Sequence, residues 1–220
     1  LIHSDTTDGS TTFVDSSPSG HAITKVGTIN HETTNAKPSF GATSIEFDGG
    51  SHGAAIKLDI DSVPALGTGD WTIDFWVRFN SFTGGSYYGI AENYTNGASG
   101  AWIAALYGSS TKPAFYGQGS GGMDWASGNT ALVVDTWYHI AYVHSGQNFK
   151  IYLNGVNDSS TAAGWSTTNN AFSRTGANIG SGHDNSRPTL DGYLDEFRIS
   201  SKARWTSDFT PPARPYSTVN

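Results

Sequence analysis

Asp195 is the residue whose setting most demands a chemical explanation. It lies in the run Leu190-Asp191-Gly192-Tyr193-Leu194-Asp195-Glu196-Phe197-Arg198-Ile199-Ser200. An Asp-Gly turn signal there precedes an alternation that predicts a strand, with Tyr193, Asp195, Phe197 and Ile199 on one face and Leu194, Glu196 and Arg198 on the other. An ionised carboxylate among three large apolar or aromatic side chains is costly unless donors or a cation pair with it. Asp195 therefore needs a partner. A second group with chemical potential is the set of aromatic side chains in and beside glycine-rich stretches. Tyr88, Trp102, Tyr116, Trp125 and Trp165 are the candidate ligand-binding residues. An exposed ring stacks on the apolar face of a sugar while neighbouring Asn, Asp and Ser bond its hydroxyls. The same rings also suit the interior of a β sandwich, and both placements stay open.

Composition removes other chemistries. The chain has no cysteine, which excludes disulfides, thiolate metal sites and cysteine nucleophiles. Its seven histidines show no zinc-ligand spacing. A phosphate-loop pattern is absent. A formal charge of −7 without a Lys/Arg cluster argues against nucleic acid as a partner, because such binding needs clustered cations to displace counterions. No apolar run approaches the ~18 residues of a spanning helix, so no membrane insertion is expected.

The elements that must position these groups are strands. With 27 glycines, 13% aromatics and only 14% charged residues, the chain reads as a turn-rich β protein. The clearest strand is Trp71 to Phe79, with Trp71, Ile73, Phe75, Val77 and Phe79 on one face and Trp76 exceptional among polar neighbours on the other. Trp137 to Val143 and Phe149 to Leu153 form a second firm pair, and Asn154-Gly155 is a two-residue hairpin turn. Strands are also expected at 44–47, with 54–58 as the returning partner, and at 87–91, 101–107 and 113–117. Residues 28–41 read as loop, 61–67 as holding one helical turn, and 206–220 as an extended tail whose prolines stop further pairing. With no shift in composition and no constant-period repeat, residues 1–220 read as a single all-β domain, an antiparallel sandwich of jelly-roll type.

A family resemblance rests on four stretches in order. Ser44-Ile45-Glu46-Phe47-Asp48-Gly49, Trp71-Thr72-Ile73-Asp74-Phe75-Trp76-Val77-Arg78, Trp137 to Val143 running into Phe149 to Gly155, and Gly192 to Ile199 with Ala203-Arg204-Trp205 behind it resemble laminin-G-like domains of the concanavalin A-like lectin/glucanase fold. The opening Asp8-Gly9-Ser10-Thr11-Thr12-Phe13 resembles copies in tailed-phage structural proteins and bacterial surface proteins. The resemblance implies a structural calcium joining the first and last strands, with Asp195 as side-chain ligand, Asp5 nearby and Gly41 as carbonyl donor. The alternative for Asp195 is backbone amides or an arginine. Glucanases of this fold use a Glu-x-Asp-x-Glu run, and lyases use Gln-x-His and Tyr-x-Lys elements. None of these occurs here, and an enzyme is not expected.

What remains is recognition. The expected function is a non-catalytic carbohydrate-binding or surface-adhesion module, part of a larger phage virion or bacterial surface protein. It would act at a virion or cell surface on a glycan or polysaccharide. Two alternatives stand beside it: a decoration protein of a virion assembly that contacts only other protein chains, and a polysaccharide-active enzyme of the same fold.

Overall fold

The structure, a computed structural model, describes residues 1–50, 56–82, 87–94, 98–119, 122–160, 171–181 and 189–218. They contain fourteen strands: β1 (Thr24–Val26), β2 (Ile29–Glu32), β3 (Ser44–Gly50), β4 (Lys57–Ile60), β5 (Trp71–Phe79), β6 (Tyr87–Glu92), β7 (Ala101–Tyr107), β8 (Lys112–Gly119), β9 (Gly122–Ser127), β10 (Trp137–Ser145), β11 (Asn148–Leu153), β12 (Val156–Asn157), β13 (Ala177–Ile179) and β14 (Thr189–Ser200). Among the described residues there is no α-helix, and one 3-10 turn at Gly108–Ser110. The strands form two seven-stranded antiparallel sheets. The front sheet runs β1-β4-β13-β6-β7-β8-β9 and the back sheet β12-β11-β10-β5-β14-β3-β2. This is the antiparallel jelly-roll sandwich expected from the composition.

The alternation in β5 explains its central place. Trp71, Ile73, Phe75, Val77 and Phe79 point between the sheets and are at most 1% exposed. Each contributes roughly 1.5–3 kcal/mol by burial. From the front sheet, Phe115 meets them with its ring 5.3 Å from Trp71 and 5.3 Å from Tyr142. The Asn154-Gly155 turn has φ of +50° and +81°, the geometry a two-residue hairpin demands.

Several local expectations are corrected. The segment 28–41 contains β2, and 61–67 has no helical turn. β4 does not return alongside β3; it joins β1 and β13 in the front sheet, while β3 lies between β14 and β2. The opening residues form isolated bridges, Ile2 to Phe197 and Ile2 to Asp15. The most consequential difference is in β14. Asp195 stands opposite Trp76 and Arg198 opposite Asp74, three steps on β14 against two on β5. The extra residue is a bulge at which Glu196 takes φ +55°. It reverses the alternation: Leu194 and Phe197 both enter the core, while Asp195 shares the outer face with Tyr193 and Arg198 rather than with Phe197 and Ile199.

Residues after Ser200 cross the outer face of the back sheet as a third layer. Thr72 Oγ1 donates to the Lys202 carbonyl at 2.8 Å, the Asn157 amide to Asp208 at 2.8 Å and the Phe209 amide to the Gly155 carbonyl at 2.8 Å. Trp205 and Phe209, stacked at 3.9 Å, pack on Ala141, Val143 and Tyr152. Trp76, the oddity of β5, is covered on this same face by the segment before β3 and by β10, lying between Phe40 and His139.

Candidate functional site

The outer face of the front sheet is built by register. On β7, β8 and β9, Ile103, Tyr116 and Trp125 stand side by side, Ala105, Ala114 and Ser127 form the next row, and Tyr107 faces Lys112 in the row beyond. The middle row is small. Over it the rings of Tyr107 and Trp125 lie against each other, with centroids 5.1 Å apart and planes 10° from parallel. Tyr94, Ala101, Ile103, Ala105, Ala114 and Tyr116 form an apolar cluster on this face, against which half-buried Trp125 packs. Tyr107 is 37% exposed. The row of Trp125 continues through Tyr116, Ile103, Glu92, Asn178, Asp59 and Thr24, one residue per strand across all seven. At about 4.8 Å per strand it spans roughly 29 Å. Its far end is polar: Lys57 holds Asp59 at 2.9 Å and Asn178 Oδ1 at 3.0 Å. The middle of the row is buried, with Glu92 at 1% and Ile103 at 5% exposure, so the aromatic pair and the polar end are two separate exposed features.

The five ring candidates are thus separated. Trp125 and Tyr116 belong to this face, Tyr116 being only 8% exposed. Tyr88 and Trp102 point into the core between the sheets, at 6% and 1% exposure, and this burial removes them as surface contacts. Trp165 lies outside the described residues. Tyr107 was not singled out. Its signal was the alternation Ala101, Ile103, Ala105, Tyr107, three smaller residues and then a ring on the face opposite Trp102, Ala104 and Leu106.

The opening segment links the three predicted metal-site residues: Ser4 bonds Asp195 in the back-sheet bulge, and the next residue, Asp5, lies against Gly41. Asp195 is fully buried; its Oδ1 accepts the Ser4 amide at 3.1 Å and the Glu196 amide at 2.8 Å. Its Oδ2 has no hydrogen-bond partner among the described residues. Burial, helped by the neighbouring Glu196 charge, pushes this carboxyl up to about 8, against the pull of the two amides and of Lys37. The Lys37 amine stands 4.1 Å over the Trp76 ring, and Trp76 is the in-register neighbour of Asp195. One residue after Ser4, Asp5 Oδ1 accepts the Ala42 amide at 3.1 Å. A Cβ on Gly41, whose φ is +159°, would come within 2.9 Å of the Asp5 side chain, so a larger residue does not fit there. An orphaned buried carboxylate oxygen is a donor that hard, loosely coordinated cations accept, and among the described residues no group of three or more His, Cys, Asp or Glu side chains gathers around it.

The remaining acids of the outer back face are committed. Arg198 grips Asp74 with two bonds, Nε to Oδ1 at 3.0 Å and Nη2 to Oδ2 at 2.8 Å. Burial acts to raise the Asp74 carboxyl, but His139 and Arg198 outweigh it and hold it below the usual range. His139 Nε2 also lies 2.9 Å from the Tyr216 hydroxyl, whose ring sits 3.8 Å from the Arg198 guanidinium. Burial and the Asp74 charge push the Tyr216 phenol well above its ordinary value. Glu196, displaced to this same side by the bulge, takes the Tyr216 amide on one oxygen at 2.6 Å and His3 Nδ1 on the other at 2.6 Å.

Comparison with known proteins agrees with this architecture. A laminin-G-type family model, described as the concanavalin A-like lectin/glucanases superfamily, matches residues 48–208. No curated protein matches the sequence. Among solved structures, domain 4 of AbnA, a GH43 extracellular arabinanase from Geobacillus stearothermophilus, in complex with arabinotriose, is similar at TM-score 0.58 and 18% identity, over 84% of this chain and 83% of that one. The botulinum neurotoxin serotype G binding domain aligns at TM-score 0.61 and 12% identity, over 87% of this chain and 45% of that one. Mouse laminin α1 chain domains LG4-5 align at 0.54 and 14%, over 75% and 44%. The chain thus spans less than half the length of the last two. At these identities the likeness is one of fold.

Proposed function

We propose that this chain, which belongs to the concanavalin A-like lectin/glucanases superfamily, is a non-catalytic carbohydrate-binding or adhesion module. In this reading residues 1–220 act as one laminin-G-like unit of a larger extracellular, cell-surface or virion protein. The observation that carries the proposal is the paired Tyr107 and Trp125 on the front face, flanked by Lys112, Ser127 and Gln118. A sugar ring stacks on such a platform through its C–H face while the polar neighbours take its hydroxyls. The non-catalytic part is supported by the acids already described. Asp74 and Glu196 are buried and bonded within the back sheet, Asp158 is tied to Asn129 and Thr130, and Asp59 is paired with Lys57. Glycoside hydrolysis needs two carboxyl groups free to flank the scissile bond.

The complex of AbnA domain 4 with arabinotriose makes arabino-oligosaccharides and arabinan the first probes, followed by a panel of bacterial surface polysaccharides. Affinity electrophoresis tests the site. The native chain is retarded by at least one polysaccharide, and Trp125→Ala or Tyr107→Ala removes most of that retardation, a loss of roughly five- to thirtyfold in affinity for ring contacts worth about 1–2 kcal/mol. Equal retardation of native and variant chains would remove the platform from the proposal.

The proposal includes a structural calcium at the back-sheet bulge. Asp195 Oδ2, the Asp5 carboxylate and the Gly41 carbonyl would hold it. When bound, the ion supplies the counter-charge that two amides and a distant lysine leave incomplete. What the chain's own residues do there is plainer: Asp195 orients the Ser4 and Glu196 amides and so ties the opening segment to β14.

A further inference from the structure

A cavity of about 410 Å³ opens on the other side of the chain from the Trp125 face, where the N-terminal segment and the C-terminal tail meet at the β14 bulge. That volume lies within the range of about 300–1,000 Å³ for small-ligand sites. Its polar wall is made by His3, Asp5, Thr6, Thr12 and Ser16. These groups are held in place one by one. His3 is oriented by the 2.6 Å contact of its Nδ1 with Glu196, which is itself fully buried and pinned by the Tyr216 amide at 2.6 Å. Asp5 is set by the Ala42 amide at 3.1 Å, and Thr6 by its own amide on Thr43 Oγ1 at 3.2 Å. The Thr12 carbonyl lies 3.0 Å from His31 Nε2, and the His31 ring is stacked on Phe13 with centroids 4.6 Å apart.

Those bonds use one atom of each group and spare another. Among the described residues no partner is seen for His3 Nε2, Asp5 Oδ2 or the side-chain hydroxyls of Thr6, Thr12 and Ser16. The cavity therefore presents an imidazole nitrogen and three hydroxyls, each on a pre-set backbone, with Asp5, the calcium ligand proposed above, at its edge. A ligand rich in hydroxyl groups matches this set, because every hydroxyl both donates and accepts. An anionic ligand is opposed by Asp5 and by the Glu196 charge behind His3. A flat aromatic ligand finds only the His3 imidazole to stack on, since Phe40 and His31 in the wall are each only 2% exposed.

We infer that this cavity is a second carbohydrate site, which takes the end unit of a neutral saccharide through hydrogen bonds rather than ring stacking and acts independently of Trp125. The inference rests on the carbohydrate-binding reading. Its test separates the two. The full chain, labelled with 15N at histidine and tryptophan, is titrated in calcium-containing buffer with L-arabinose, D-galactose, arabinotriose and D-galacturonate while imidazole and indole signals are followed by NMR.

The expected result is that neutral sugars shift the His3 imidazole signals with the same affinity in the native chain and in Trp125→Ala. His3→Gln and Thr12→Val each weaken that binding, by roughly fivefold for the loss of one hydrogen bond of about 1 kcal/mol. Thr12 is exposed, so its isosteric variant keeps the test valid if His3→Gln misfolds. Movement of the Trp125 indole alone overturns the second site and leaves the carbohydrate reading standing. If neither signal moves with any sugar, both fall. Tighter binding of galacturonate than of galactose overturns the neutral-ligand chemistry.

Discussion

Replacing Asp195 by Asn removes the charge of the bulge while keeping its shape. The Asn carbonyl oxygen retains the Ser4 and Glu196 amides as donors, and the amide nitrogen takes the place of the orphaned oxygen. In the metal-free native chain the folded carboxyl is raised from 3.8 to about 8. A raised carboxyl means that the folded state holds its proton more tightly than the unfolded one. Its stabilising contribution is complete below the unfolded value near 4 and is lost as pH rises through about 8. With about 1.4 kcal/mol per unit, the full loss is on the order of 5 kcal/mol. The Asn variant has no such dependence. Burial lowers the His31 value and so weakens the fold as pH falls, but it does so in both proteins and cancels in their difference. The assay is thermal unfolding in chelator from pH 5 to pH 8. Asp195→Asn gains on the native chain by roughly 10 °C across that range, at about 2–4 °C per kcal/mol for a chain of this size. Calcium at pH 8 then raises the native melting temperature and leaves the variant unmoved. A difference that stays constant from pH 5 to pH 8 refutes the buried-charge reasoning. Equal stabilisation of both proteins by calcium refutes Asp195 as its ligand.

Two further substitutions probe the third layer. Asp74→Asn leaves the Arg198 guanidinium without its counter-charge in a buried setting. It is expected to lower unfolding stability by about 3–5 kcal/mol, read as a lower urea midpoint at unchanged slope; a shift under 1 kcal/mol would place the pair among solvent-screened bridges. Gly155→Ala adds a Cβ only 1.9 Å from the Phe209 carbonyl oxygen at a residue with φ +81°. The expected outcome is release of the 201–218 segment, seen as faster proteolysis after Lys202 and Arg204, whereas unchanged protection would mean that the hairpin turn does not hold the tail.

Much of this architecture was legible because its strands are strongly periodic. β5, β10 and β11 follow their alternation, and Asn154-Gly155 turns where its tolerance of positive φ places a turn. Pairing over long distance was not legible. Segment 54–58 follows β3 in sequence and was matched to it, yet β4 joins the front sheet, because a sandwich changes sheets without any local marker. Ring burial was equally hidden. Trp102 and Tyr116 lie on neighbouring strands one register row apart, Trp102 opposite Gly117 and Tyr116 opposite Ile103, and that single step puts one ring in the core and the other on the outer face.

The bulge in β14 explains the candidate metal site and the chain closure together. Alternation read without an insertion separates Asp195 from Glu196 and joins Asp195 to Phe197. One extra residue, with Glu196 at φ +55°, puts both acids and Arg198 on the outer face. There each meets a different part of the chain: Asp195 the Ser4 amide, Glu196 both His3 and the Tyr216 amide, and Arg198 the Asp74 carboxylate. Without the bulge Glu196 would take the core-facing place of Phe197, whose ring stacks on Phe75, where a carboxylate has no partner, and neither terminal segment would have its anchor. The strain of a left-handed glutamate is of order 1–3 kcal/mol. Two charge-assisted bonds to a buried carboxylate, at about 1.5–3 kcal/mol each, offset it, so the bulge persists because it lets one strand fasten both ends of the sandwich.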